Sequence, residues 1–235
     1  MSPSQGLGAT LRRAADVGWA AGYDLLCGLA DGRGQGRQRR ETLVAGARGV
    51  VCEVGVGSGL NLPLYTEATR VIGVDPFPGM LARARQRSRG ASVPVDLVRG
   101  TAEALPLPDR SVDTVVASHV LCSVRDVAVA LAEARRVLKP GGVLAFYEHV
   151  RDRDPRVAAR QARLTPAWRR LARNCHLDRD AEGHLVAAGF TIEDLSETPF
   201  ARAPAVLRRN ILGRARPARQ SPARPQQPGP RSVPT

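Results

Sequence analysis

From residue 50 to residue 195 the chain alternates short β-branched runs with helical stretches, and few architectures accommodate such a text. The strand-like runs are Val50–Val54, Val71–Val74, Val95–Val98, Val112–Ala117, Val143–His149 and Phe190–Leu195. The clearest helix between them lies in "RDVAVALAEARRVLKPGG". There Val127, Leu131, Ala134 and Leu138 share one face, Asp126 is placed to cap the N-terminus, and Pro140-Gly141-Gly142 stops the helix. Strand–helix alternation of this kind predicts a parallel sheet with helices on both faces. A last strand over Ala205–Leu212 would close it. At 235 residues there is enough chain for one domain with a sizeable core.

The flanks read differently. Residues 9–30 predict a helix, since Ala15, Trp19, Tyr23, Leu26 and Ala30 form an apolar stripe. "DGRGQGRQRR" follows as a glycine- and arginine-rich connection. Arg214–Thr235 holds six prolines, five arginines and no aromatic, so it cannot bury enough apolar surface to offset chain entropy and reads as a disordered tail. The expected division is therefore 1–48 for an N-terminal helical segment and connection, 49–213 for the folded domain and 214–235 for the tail.

The net charge of +13 suggests nucleic acid until its distribution is considered. Residues 201–235 carry eight arginines and no acid, which leaves 27 basic against 22 acidic residues, or +5, in the first 200. All the basic residues but Lys139 are arginine, a bias that a GC-rich genome produces unaided. The tail also lacks the aromatics on which bases stack. Nucleic acid is therefore not expected as a partner. Cys27, Cys52, Cys122 and Cys175 are far apart with no C-x-x-C pair, so neither a metal site nor a disulfide framework is expected. Reduced thiols fit the cytoplasm. No leader and no run of about 20 apolar residues is present to cross a bilayer.

"VCEVGVGSGLNLPLY" carries the chemistry. Gly55, Gly57 and Gly59 follow the first strand, and glycine there lets the backbone turn sharply and a ligand approach without a Cβ in the way. A dinucleotide would want G-x-G-x-x-G, but the third position falls on Leu60 or Leu62. What stands instead is E-x-G-x-G-x-G, with Glu53 inside the strand. Asp75 ends the next strand sixteen residues after Gly59, where a carboxylate can accept both ribose hydroxyls of a nucleoside.

These motifs resemble those of the class I S-adenosylmethionine-dependent methyltransferases, over about 140 of the 235 residues. The resemblance implies a Rossmann-like α/β fold, a seven-stranded mostly parallel sheet with helices on both faces, and S-adenosyl-L-methionine as cofactor. It places Glu53, Gly55, Gly57, Gly59 and Asp75 around that cofactor, with Pro76 and Phe77 beside the adenine. The loop Gly100–Glu103 would cap the adenine through Thr101, Ala102 and Glu103. Many members have aspartate where this chain has Thr101, and Glu103 is the candidate substitute. Ser118 and His119 would face the methionine part. More narrowly, "SVDTVVASHVLCSV", "RVLKPGGVLAFYEHV" and "LTPAWRRLARNCHLDRD" are similar to stretches of the methyltransferase-like thiol S-methyltransferases and their bacterial relatives. Animal members of that group carry an apolar N-terminal anchor that is missing here.

The resemblance makes a small-molecule acceptor the expected partner, a thiol first. A thiol of pKa near about 8.5 is already a few per cent thiolate at neutral pH, so a strong base is helpful but dispensable. His119 and His149 end strands on the ligand side and are the candidate catalytic proton acceptors; strand-end packing is the alternative for each. Glu148 would orient His149 or bond backbone amides. His176 would shape the acceptor pocket or serve helix entry, Tyr23 would close over the cofactor or simply pack, and Cys122 and Cys175 read as core residues. Two other readings remain: an amine or phospholipid headgroup acceptor with peripheral membrane contact, and a non-catalytic nucleic-acid binder.

Overall fold

In the computed structural model, residues 34–200 and 203–218 are described, together with Gly18 and Gly22, both helical. The expected helix over 9–30, Tyr23 and the chain from residue 219 otherwise lie outside the described residues.

Helix α1 (Gly34–Val44) leads into β1 (Gly49–Val54), a single helical turn at Leu62–Leu64, β2 (Ala68–Asp75), α2 (Pro78–Ser88) and β3 (Val95–Arg99). Then come β4 (Val112–Ser118), α3 (Val127–Val137), β5 (Leu138–His149), α4 (Pro155–Leu171), α5 (Ala181–Ala187), β6 (Phe190–Glu197), α6 (Ala205–Arg208) and β7 (Asn210–Pro217). The seven strands form one sheet in the order β3-β2-β1-β4-β5-β7-β6. Strands β1 to β5 pair in parallel, and β7 runs antiparallel between β5 and β6. The sheet is thus seven-stranded and mostly parallel, as expected.

Alternate residues of the central strands feed two cores. Val51, Val71, Val116, Ala145 and Tyr147 pack on one face against Leu43 and Val44 of α1 and Leu81 and Ala84 of α2. Cys52, Val74, Val115, Leu144 and Phe146 pack on the other against Val127, Leu131 and Ala134 of α3 and Leu185 of α5. Leu131 and Leu185 are wholly buried, and each contributes about 1.5–3 kcal/mol by leaving water. Asp126 caps α3 as predicted, accepting from the amides of Ala128 and Val129.

Three expectations are corrected. The arginine-rich connection is helix from Gly34 to Val44, held by burial of Leu43, Val44 and Arg40 rather than by propensity. Ala205–Leu212 is not one strand: Ala205–Arg208 is a helical turn, and the strand starts at Asn210. That strand runs through Pro217, so Arg214–Pro217 belongs to the sheet and not to a disordered tail. There Ala215 is wholly buried opposite Leu144 and Ile192.

A test follows from that strand. Ending the chain at Ala218 leaves every described strand pair intact. Ending it at Gly213 removes the pairing of Arg214–Ala215 with β5 and of Arg214–Pro217 with β6. At about 1 kcal/mol per backbone hydrogen bond, the shorter chain is expected to be less stable by about 2 kcal/mol or more. Its Tm would then lie roughly 4–8 °C below that of the longer one. Equal melting of the two would show that β7 ends before Arg214.

Candidate active site

The strand order reverses between β1 and β4, and the crevice beyond the strand ends at such a point is where ligands bind in open α/β sheets. The three glycines of the loop after β1 all have positive φ, but they serve different ends. A Cβ on Gly55 would strike Val120 Cγ2 at 2.4 Å, and one on Gly59 would meet Ala84 Cα at 3.0 Å and Leu62 Cδ1 at 2.7 Å. Gly55 and Gly59 therefore permit close packing on the β4 turn and on α2. A Cβ on Gly57 would have only the Gly55 carbonyl oxygen near it, at 3.8 Å. Gly57 alone of the three presents bare backbone to open space.

Asp75 sits at the end of β2, buried, with Oδ2 accepting from the Gly57 amide at 3.0 Å and Oδ1 from the Phe77 amide at 2.9 Å. The carboxylate thus joins the glycine loop to the start of α2, and each oxygen keeps a lone pair for a ligand hydroxyl. Burial raises its pKa, while the two amides and the Arg173 charge restrain the rise. The Arg173 guanidinium carbon lies 3.9 Å from the Phe77 ring centroid, beside Pro76, on a loop where Arg173 and Asn174 both have positive φ.

Glu53 does not face this space. Its Oε1 accepts from Asn61 Nδ2 at 2.8 Å and its Oε2 from the Tyr65 hydroxyl at 2.9 Å. Arg40 of α1 extends the network, donating to Asn61 Oδ1 at 3.0 Å and toward Ser118 Oγ at 3.4 Å. Glu53 therefore acts by fixing the loop, and burial pushes its carboxyl up to about 7.

The loop after β3 carries Thr101, bridged to Ala104, and the buried Ala102. Glu103 Oε1 accepts the Arg125 amide at 2.7 Å. That oxygen anchors the entry to α3, so Glu103 is a poorer substitute for the missing aspartate than the sequence suggests.

His119 follows β4 with φ +54°, a strained position for a side chain of its size. Its amide donates to the Tyr147 carbonyl at 2.7 Å, and its ring lies 4.4 Å from Tyr147, 6.2 Å from Phe200 and 6.4 Å from His149 between centroids. Burial holds its pKa well below the usual histidine value, reinforced by the charges of Arg40, His149 and Arg39. It is a neutral imidazole at neutral pH. His149 is different: burial opposes its charge, but Cys175, Glu148 and the His176 carbonyl together hold its pKa above the ordinary value. Wholly buried Glu148 receives the amides of Val120, Leu121 and Cys122 at 2.8, 2.9 and 3.3 Å. It bonds backbone, the second of the two roles open to it from sequence.

The structure places Gly55, Gly57, Gly59, Asp75, Pro76, Ser118 and His119 at or just beyond the C-terminal ends of the neighbouring strands β1, β2 and β4, with Glu53 inside β1 and Thr101–Glu103 just after β3. Sequence reasoning missed Arg40, disguised in a helix of low apolar content, and Arg173, which reaches the site from nearly one hundred residues further on. Asn61 and Tyr65 were in plain view in "GLNLPLY", eight and twelve residues after Glu53.

Residues 52–146 match the methyltransferase domain family. A thiol S-methyltransferase from Rattus norvegicus is 34% identical over 151 residues, covering 63% of this chain and 62% of that protein. A phosphatidylethanolamine N-methyltransferase from Cereibacter sphaeroides is 37% identical over 129 residues, covering 54% and 64%. The match thus spans less than two thirds of these relatives' own length. Among solved structures, an S-adenosylmethionine-dependent methyltransferase from Thermotoga maritima, described as a possible histamine N-methyltransferase, superposes with a TM-score of 0.60. It is 24% identical, with 83% of this chain and 95% of that one covered. That likeness speaks to the fold.

Proposed function

On the premise that the chain carries a methyltransferase domain, we propose that it is an S-adenosylmethionine-dependent methyltransferase of a small molecule, with a thiol as acceptor. The observation that carries the cofactor assignment is the bare Gly57 backbone hydrogen-bonded to the buried Asp75 carboxylate at 3.0 Å, at the reversal of strand order. The residues fit the group. Asp75 would accept from the ribose hydroxyls, Pro76 and Phe77 would border the adenine, and Thr101 and Ala102 would close its edge. Ser118 and the Arg40 guanidinium would meet the methionine end, where a carboxylate complements the arginine.

When bound, the cofactor supplies a methyl group on a positively charged sulfur, which an aligned nucleophile takes in an in-line displacement. This chain's residues do the rest. His119, neutral and half-buried, would take the acceptor's proton, with the rings of Tyr147 and Phe200 limiting the water around it. The thiol choice is supported by the 34% identity to a thiol S-methyltransferase. Among the described residues no helix is long and apolar enough to cross a membrane. The free thiols of Cys52, Cys122 and Cys175 among the described residues support a cytoplasmic setting.

Turnover of labelled cofactor with a panel of small thiols tests the reading. Methylation of thiols is expected; turnover only on liposomes would favour the headgroup alternative. Salt-sensitive RNA binding with no turnover would overturn both. Asp75→Ala is expected to weaken S-adenosylhomocysteine binding by about 1–3 kcal/mol, the usual size for a lost charge-assisted pair of bonds. Unchanged affinity in calorimetry would remove the ribose role.

A further inference from the structure

The sequence offers no metal-binding spacing, yet the fold assembles a set of metal donors. Cys122 in the turn after β4, His149 at the end of β5 and Cys175 in the loop after α4 bring their donor atoms within 4.8 Å of one another. Cys175 Sγ stands 3.9 Å from Cys122 Sγ, and 3.6 and 4.0 Å from His149 Nε2 and Nδ1. Around a tetrahedral zinc ion two sulfurs stand about 3.8 Å apart, and sulfur and nitrogen about 3.6 Å. The two Cys175 spacings lie within about half an ångström of those edges, and the third, between Cys122 and His149, is held below 4.8 Å.

The surroundings are those of a built site. His149 Nε2 lies 3.0 Å from the His176 carbonyl and donates to it, the outer bond that metal-bound histidines usually make; Nδ1 then keeps its lone pair. Glu148 ties the turn of Cys122 to the strand of His149 through three amides. The loop of Cys175 is pinned to the same turn: His176 N donates to the Cys122 carbonyl at 2.8 Å, and Asn174 Nδ2 donates to the Ser123 carbonyl at 2.9 Å. Arg179 clamps it further, donating to the carbonyls of Leu121 and Val124 at 2.8 and 3.0 Å. Two thiolates would neutralise a divalent ion, and the charges of Glu148 and Arg179 balance each other.

We propose that Cys122, His149 and Cys175 bind one thiophilic divalent cation, zinc above all. Three protein donors leave a fourth position for water or an incoming thiolate, as in zinc sites that perform chemistry. His149 is then a ligand, and the proton-accepting role falls to His119 alone. The proposal stands apart from the methyl-transfer reading, because metal binding is measured without cofactor or acceptor.

The probe is Co2+ titrated into the reduced full-length protein. Thiolate-to-cobalt charge-transfer bands saturating at one equivalent and displaced by Zn2+ are expected, with their loss in Cys122→Ser/Cys175→Ser. X-ray absorption of the zinc-loaded wild type requires no substitution, and two sulfur neighbours at about 2.3 Å are expected. A metal shell without sulfur, bands that survive in the folded double variant, or no cobalt uptake would overturn the site. So would a Cys122–Cys175 disulfide formed under mild peroxide at the same rate with and without saturating Zn2+.

Discussion

Gly57→Val is expected to leave a folded protein that binds S-adenosylhomocysteine at least about 100-fold more weakly, a loss of about 2.7 kcal/mol. The fold should survive because a Cβ at Gly57 meets nothing closer than the Gly55 carbonyl oxygen at 3.8 Å. The remaining cost is backbone strain, about 1–3 kcal/mol for a β-branched residue held at φ +54°. Binding should fail because the new methyls project into the space beside Asp75, and because straining φ there threatens the Gly57 amide bond to Oδ2. Gly59→Ala is expected to do the reverse. Its Cβ runs into the backbone of Ala84 at 3.0 Å, so overpacking costs about 1–3 kcal/mol of stability while the folded fraction still binds. Thermal melts and calorimetry on the two variants separate a glycine kept for a ligand from one kept for a helix. If Gly57→Val binds within about threefold of wild type, under about 0.7 kcal/mol, the ligand does not lie over that loop.

The same loop marks what the sequence could and could not reveal. Strand identity was readable because β1 and β4 are short valine-rich runs and β5 contains the apolar run Val143–Tyr147, and burial on both faces leaves little else for them to be. Asp75 was readable because it follows a glycine loop at a spacing that one strand–turn–strand step sets. Helix α1 was not, since its glycines and arginines carry almost no helical signal and its order comes from Leu43, Val44 and Arg40 docking on a sheet that follows later in the chain. Strand β7 was half hidden for a related reason: "GRARP" reads as tail, and only insertion between β5 and β6 buries Ala215. The convergence of Cys122 with Cys175 across 53 residues is a tertiary event with no local trace at all.

Replacing Glu53 by glutamine is expected to remove a pH dependence of stability worth about 3 kcal/mol. Burial raises the Glu53 carboxyl from 4.5 to about 7, with the Tyr65 and Asn61 bonds and the Arg40 charge holding it from rising further. The folded chain therefore holds a proton that the unfolded chain has released throughout the window from about 4.5 to about 7. A group raised on folding contributes stability fully present below the lower value and lost as pH rises through the upper one. At 1.36 kcal/mol per unit the loss over that window is about 3 kcal/mol. Glutamine is neutral at every pH, and the Tyr65 hydroxyl can rotate to accept from its amide. Asp75 and Glu148 are raised by burial as well and keep their own slopes in both proteins. The difference between wild type and variant therefore isolates Glu53. Unfolding free energies from urea curves at pH 5 and pH 8 should diverge by roughly 2–3 kcal/mol in favour of the variant at the higher pH; parallel pH dependences would show that the carboxyl titrates normally. Asn61 and Tyr65 flank the turn Leu62–Leu64 that closes the glycine loop. Because glutamine keeps a bond to each, cofactor affinity should change little in the variant that gains stability above neutrality.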